Sequence, residues 1–355
     1  MYIKIKSIEI DIEMLQNDIT LKAINYDEKT GSTNAFNSVV ENEVIRREEV
    51  VKEQIQKLQR DKLLYISRKN KIENALNCLT KEELKLVQMR YFTNPKCSWV
   101  KIGLDLGSLE TYQTYQDLEN AFQKQIDYFI DKMMAAEKIV EKAHQDYLPT
   151  AFLSTVIDDC LEKGLDVTKG GAKYNLSGIQ MIQVANLADS LAAIKQLVYD
   201  DKMISQHDLL NALQEDFKGY EIMQTMLLNK VPKYGNDVKW VDELGNQWAC
   251  YFREKMKRYT NYRGGPYHTG MYTVSAHVPM GENVGASPDG RNALKPLADG
   301  GMSPVYGRDL QGPTAVLKSV SKLNNSCTTN GGLLNMKFLP EFFKTETGFI
   351  FSHIS

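Results

Sequence analysis

The stretch RGGPYHTGMYTVSAHVPMGENVGASPDGRNALKPLADGGMSP, Arg263 to Pro304, concentrates glycine and proline, and the second half of the chain reads as scaffold around it. Within it, Met271 to Val278 (MYTVSAHV) has the β-branched and aromatic content of a strand. In that register Tyr272, Val274, Ala276 and Val278 share one face and Thr273, Ser275 and His277 the other. The second face is polar. Glycines on both shoulders, Gly264 and Gly265 before it and Gly281, Gly285 and Gly290 after, predict close backbone approaches. Two readings of the polar face stand open, the lining of an enclosed pocket or the wet side of an edge strand.

Four further segments carry a resemblance. GASPDGR (Gly285 to Arg291), PLADGG (Pro296 to Gly301) and GPTAVLKSV (Gly312 to Val320), with GGAKYN (Gly170 to Asn175), resemble the glycyl radical enzymes, the pyruvate formate-lyase-like family. The wording is nearer the dehydratase and related lyase branch than formate-lyase proper, and the resemblance runs from about Thr114 to Gly348. It implies an α/β fold, part of a ten-stranded α/β barrel, here preceded by an all-α N-terminal segment. It also implies a radical stored on a backbone glycine, installed by a radical-SAM activating enzyme and passed to a cysteine that abstracts hydrogen from a small hydroxylated substrate. By resemblance the polar face lines the substrate cavity, with Tyr272, Thr273, Ser275 and His277 as substrate-binding candidates. Such groups hold a hydroxyl or carboxylate in place while the wrong hydrogens are kept out of reach.

The radical-bearing motifs are missing. The dehydratase branch needs a Gly-Cys-x-Glu loop and an Arg-Val-x-Gly-Tyr loop, and the sequence contains neither. Cys160-Leu161-Glu162 mimics the first, but Asp159 stands where its glycine belongs, and in a helix running from Phe152 to Glu162 residues two apart point to different faces. Cys160 reads as a small buried hydrophobe. Cys327 lies in a polar, turn-rich loop where a reactive thiol would want a base or cation beside it. No residue is therefore assigned a catalytic role. The resemblance implies a partial enzyme, inactive alone, and the abrupt FIFSHIS ending (Phe349 to Ser355) reads as an unrelated tail on a truncated or frame-shifted product.

Composition narrows the rest. With 355 residues, 43% hydrophobic and 25% charged, the chain can bury a sizeable core, and a net charge of -2 makes no global case for nucleic acid or membrane. No run of about 18 apolar residues occurs, and the charged MYIKIKSIEIDIEML start lacks the apolar core of a secretory signal. The five cysteines form no C-x-x-C pair, which suits reduced thiols and a cytoplasmic setting. His268 and His277 make no metal signature, and neither a P-loop nor a Rossmann fingerprint occurs, so no directly bound cofactor or metal is expected.

Three regions follow: a helical segment at 1–110, a partial barrel domain at 111–348 and the tail at 349–355. The first reads as a solvated helix from Glu41 to Asn77 with Val44, Val51, Ile55 and Leu58 on one stripe, then a capping box at Thr80-Lys81-Glu82-Glu83. It loosely resembles the sigma-region-4-like helix-turn-helix of phage transcriptional regulators, which gives the alternative of a DNA-binding regulator fused to an enzyme fragment. Leu109 to Tyr115, which would enter the major groove, holds no Lys or Arg, so any DNA binding is weak. In the barrel segment, helices are predicted over Asp117–Asp146, Phe152–Glu162, Ser177–Tyr199, Ser205–Phe217, Glu221–Asn229, Val241–Arg258 and Thr314–Lys322, with a short strand at Gly332–Phe338. A half-barrel leaves an open edge, so disorder is expected after Gly264.

Overall fold

The computed structural model describes residues 5–16, 39–77, 79–81, 84, 103–338 and 340–344. The chain divides into two compact units, Met1–Thr93 and Asn94–Ser355. The first holds a helix over residues 5–16 and the long helix α1, Val39–Asn77. Val51, Ile55 and Leu58 form a half-buried stripe on α1, with Tyr65 further along it. Lys62 Nζ meets Glu9 at 2.8 Å and so links the two helices. Glu82 and Glu83 of the capping box, and residues 85–102 after it, lie outside the described residues.

The second unit begins with a single 3-10 turn, Leu109–Thr111, and the helix α2, Tyr115–Tyr147. Thr114 caps α2: its hydroxyl accepts from Asp117 N–H while the Asp117 carboxylate accepts from Thr114 N–H, so two orphan amides are satisfied together. The helix ends ahead of Pro149, which disfavours the helical conformation in the residue before it. Residues 109–115 pack onto the second unit. Leu109 packs against the main core, and the Tyr112 carbonyl accepts from Tyr199 Oη and from Gln206 Nε2, so the segment is the lead-in to the second unit.

Helix α3, Val184–Ala193, is buried almost throughout because its small residues let neighbours approach closely, and it continues into a π-helical turn, Ile194–Asp200. Around it stand α4 (Gln206–Gln214, capped by Ser205), α5 (Glu221–Asn229), α6 (Lys239–Met256) and α7 (Pro313–Ser321). Val184, Leu191, Leu197, Leu209, Leu227, Val241 and Trp248 are the centre of the core, and Phe122 of α2 meets Trp248 edge-on at 4.8 Å. Two parallel strands complete the frame: β1, Ser177–Gln180, and β2, Tyr267–Gly270, in the register Ser177↔Tyr267 to Gln180↔Gly270. Ile130 and Met134 of α2 pack with Ile179 and Tyr267 of the sheet and with Met256 of α6.

Several expectations change. The strand placed at Met271–Val278 lies just before that stretch, over Tyr267–Gly270; Met271 makes only an isolated bridge to Gly332, Val274 takes a left-handed φ of 50°, and His277–Gly281 is a helical turn. Val274 and Val278 are exposed while Thr273 is buried, the reverse of the alternation that a strand would need. The helix expected over Ser177–Tyr199 begins instead with β1, and Gln183 at φ 60° turns the chain into α3. The helix at Phe152–Glu162 is broken into Ala151–Ser154 and Cys160–Lys163, with Asp159 left-handed between them. Ser154 is diverted to accept from Val167 N–H and to donate to Asp166. Gly332–Phe338 pairs at Gly332 alone and is otherwise irregular.

The segment after Gly264 is built into the fold, since Met271, Ala298, Met302 and Leu323 belong to the main buried cluster. Residues 345–355, including the FIFSHIS tail, lie outside the described residues. Among the described residues no helix is long and apolar enough to cross a membrane.

Candidate functional site

Parallel strands present their carboxyl ends together, and in α/β proteins that edge is where ligands are held. Here β1 ends at Gln180 and β2 at Gly270, with Met181 N–H donating to the Gly270 carbonyl at 2.8 Å. One face of this small sheet carries a glycine on each strand, Gly178 and Gly270. A Cβ on Gly178 would lie 2.1 Å from Asn330 Nδ2, and one on Gly270 would lie 2.4 Å from Gln180 Oε1. The two glycines therefore make room for an amide side chain each. The 325–331 connector crosses that face: Asn330 N–H donates to the Thr269 carbonyl at 2.9 Å, and Met271 N–H donates to the Gly331 carbonyl at 2.8 Å.

Tyr272, the first residue beyond the Met271 bridge, is half-buried, and its hydroxyl accepts from Asn330 Nδ2 at 3.4 Å. That bond leaves the hydroxyl proton available to a further acceptor. Gln180 Oε1 is buried without a hydrogen-bond partner, and so is Nδ1 of His277. Thr273 is buried, with only a long bond to the neighbouring Val274 carbonyl at 3.4 Å, and Ser275 is exposed. The four sequence-predicted positions are therefore not one strand face. Tyr272 joins the strand ends, Thr273 turns inward, Ser275 faces outward, and His277 starts the helical turn, where its carbonyl accepts from Leu297 N–H at 3.2 Å. Sequence reasoning missed Asn330 and Gln180. Asn330 carried a signal, since it opens the Asn330-Gly331-Gly332 turn, but its proximity to Tyr272 depends on the fold.

Two polar networks hold the surrounding segments in place. Glu141 of α2, 6% exposed, accepts from Tyr262 N–H at 2.6 Å and from the Ser177 hydroxyl, and pairs with Arg263 Nη1 at 3.4 Å. Arg263 Nε donates to Asn175 Oδ1 at 2.9 Å, and Asn175 Nδ2 returns a bond to the Arg263 carbonyl. GGAKYN and the RGG turn thus lock together at the start of β1. Deeper in, Arg308 Nη1 bridges Asp189 and Asp289, 3.0 Å from each, with both carboxylates fully buried. Asp289 also accepts from Asn186 Nδ2 and from Ser287, while Arg291 donates to the carbonyls of Asn292 and Lys295. GASPDGR is therefore a folded knot of internal bonds. Burial pushes the Asp189 carboxyl up to about 6, although Lys233, Arg308 and the Tyr234 N–H pull it down.

Cys160 is 3% exposed, and burial together with Asp166 pushes its thiol up. Leu161 and Glu162 beside it are exposed, so the Cys-Leu-Glu triplet does not converge on one point. Among the described residues no group of His, Cys, Asp and Glu could hold a metal ion.

The family model described as pyruvate formate lyase-like matches residues 94–281, and the one described as glycine radical matches residues 298–350. The chain is 40% identical over 249 residues to trans-4-hydroxy-L-proline dehydratase of Clostridioides difficile, covering 70% of this chain and 31% of that protein. It is 38% identical over 247 residues to (2S)-3-sulfopropanediol dehydratase of Klebsiella oxytoca, covering 68% of this chain and 30% of that one. Among solved structures, the substrate-bound hydroxyproline dehydratase of Clostridioides difficile aligns with a TM-score of 0.68 at 36% identity, over 77% of this chain and 34% of that one. The glycerol-bound B12-independent glycerol dehydratase of Clostridium butyricum aligns with a TM-score of 0.67 at 38% identity, over 76% and 34%. The chain thus spans about a third of the length of the relatives it matches.

Proposed function

The chain belongs to the pyruvate formate lyase-like family, and from that premise we propose that its second unit is the substrate-positioning wall of a glycyl radical dehydratase or lyase acting on a small hydroxylated compound. The observation that carries this reading is the polar group at the carboxyl ends of β1 and β2, where Asn330 bonds to Tyr272 and the side-chain oxygen Oε1 of Gln180 is buried without a hydrogen-bond partner. A phenol with a free proton and an unpaired amide oxygen suit a substrate hydroxyl, which both donates and accepts. Thr273, Ser275 and His277 enter the proposal as neighbours of this group, with Ser275 the outermost.

These residues position; they do not carry a radical. The family chemistry calls for a glycine radical, a thiyl cysteine and an activating enzyme of the radical-SAM class. The residues present fit neither radical role, because the sequence lacks both loops and Cys160 is buried at the start of a helical turn. No step is routed through them. A cytoplasmic setting belongs to the same proposal, resting on cysteines that form no C-x-x-C pair, three of them free thiols among the described residues.

A chimera tests it. Residues 94–338 of this chain replace the matching segment of the Clostridioides difficile dehydratase, and the product is activated and assayed on small hydroxylated substrates. We expect turnover, reduced roughly tenfold in kcat/KM by Tyr272→Phe, the loss that goes with one hydrogen bond to substrate. A chimera that shows the glycyl radical signal by electron paramagnetic resonance yet turns over no hydroxylated substrate would overturn the proposal.

A further inference from the structure

Two thiols face each other where α6 meets the 325–331 connector. Cys327, at the end of the 3-10 turn Asn325–Cys327, donates to Sγ of Cys250 on α6 at 3.1 Å. Cys327 is 6% exposed and Cys250 is half-buried. The contact is supported on both sides. Asn246, one helical turn before Cys250, accepts from the Asn324 N–H at 2.7 Å and from the Cys250 thiol at 3.6 Å. The Cys327 carbonyl accepts from the Thr269 hydroxyl at 2.5 Å, which fixes the turn against β2. Neither sulfur touches a metal-binding group, and neither is used at the strand ends.

We infer that Cys250 and Cys327 are a modification site, a thiol pair that closes to a disulfide by exchange with a small-molecule disulfide of the glutathione class. The Cys250 thiolate attacks the small disulfide, forming a mixed disulfide and releasing one small thiolate. Cys327 then attacks Sγ of Cys250, and the second small thiol leaves. In sum two protein thiols are oxidised, one small disulfide is reduced to two thiols, and the two protein protons end on those thiols. Entry is at Cys250 because it is the more exposed residue of the two. Burial and the bond to Cys250 push the Cys327 thiol up to about 12, and capping Cys250 removes the neighbouring charge that contributes to this.

The cross-link would fasten α6 to the connector that carries Asn330 to Tyr272. Its test uses the full chain without substitution. Reduced protein is exposed to oxidised glutathione, quenched in acid, digested without reductant and mapped by mass spectrometry, in parallel with the same chain in denaturant. We expect a linked peptide joining Cys250 to Cys327, lighter by about two hydrogens than the two thiol peptides together. It should form at least about tenfold faster in the native protein, since the fold holds the sulfurs in contact. Amide exchange at Asn330 and Gly331 should slow on oxidation and recover with reductant. Adducts at Cys250 without the linked peptide, a link formed no faster than in denaturant, or links scrambled to Cys78, Cys97 or Cys160 would each overturn the inference.

Discussion

A methyl group at Gly178 would stand 2.1 Å from the amide nitrogen of Asn330, so the bond from Asn330 to Tyr272 exists only because β1 carries no side chain at that position. Gly178→Ala should displace the amide and cost about 1–3 kcal/mol, the usual size of overpacking. Combining it with Asn330→Ala should cost less than the two added separately. Urea unfolding of the four members of the cycle checks this, and strict additivity would show that the two positions do not meet.

Arg308 is the cation between Asp189 and Asp289, and removing it leaves two buried carboxylates facing each other. Arg308→Met should therefore cost about 3–5 kcal/mol. The loss depends on pH in a direction fixed by Asp189, whose folded value is raised to about 6, chiefly by burial. A raised carboxyl favours the folded state most at low pH, and that contribution is lost as pH rises through the folded value. Without Arg308 the value rises further, so the variant should be less impaired near about pH 5 than near about pH 8. Denaturation midpoints at the two pH values measure the difference. A larger penalty at the acid end would contradict the assignment.

Asp166 behaves in the opposite way. Burial raises its carboxyl, but bonds from the Thr168 hydroxyl and N–H, the Ser154 hydroxyl and the Thr150 N–H outweigh it and hold the value at about 2. Its contribution is present above the ordinary carboxylate range and is lost as pH falls from there through the folded value. Asp166→Asn should flatten the acid limb of the stability curve in that window and loosen the Thr150–Lys169 segment. An unchanged acid limb would show that other carboxylates control it.

The purified chain, treated with an activating radical-SAM enzyme, should turn over neither glycerol, propanediol nor hydroxyproline, because it has neither radical-bearing loop. Product above the background of activating enzyme alone would refute this.

The sequence exposed the helices more clearly than the sheet, for physical reasons. Ser205 and Thr114 are caps that act on the amide three residues on, and the apolar stripe of Lys239–Met256 repeats within one turn, so both can be read locally. The strand could not. MYTVSAHV has the stronger β composition, yet Tyr267–Gly270 is the segment that pairs, because Ser177–Gln180 supplies its partner from far along the chain. The same distance hid most of the candidate site. Tyr272 was legible through its neighbours and the family motifs. Asn330 and Gln180 matter only because Gly178 and Gly270 leave room beside them, a relation that no window of sequence contains. The thiol pair was equally hidden, since Cys327 gave no hint that Cys250 stood opposite.

The parallel pairing of β1 with β2 also sets an order of events. Its two strands lie on either side of the whole helical stretch from Val184 to Met256, so the ladder closes a long loop for only a few hydrogen bonds. Closing such a loop costs entropy before any of those bonds form. Docking of helices α3 to α6, which would bring Tyr267 to Ser177, is therefore expected to precede the ladder. The polar group at the strand ends is in turn expected to form after that docking, and slowing the helices should delay it.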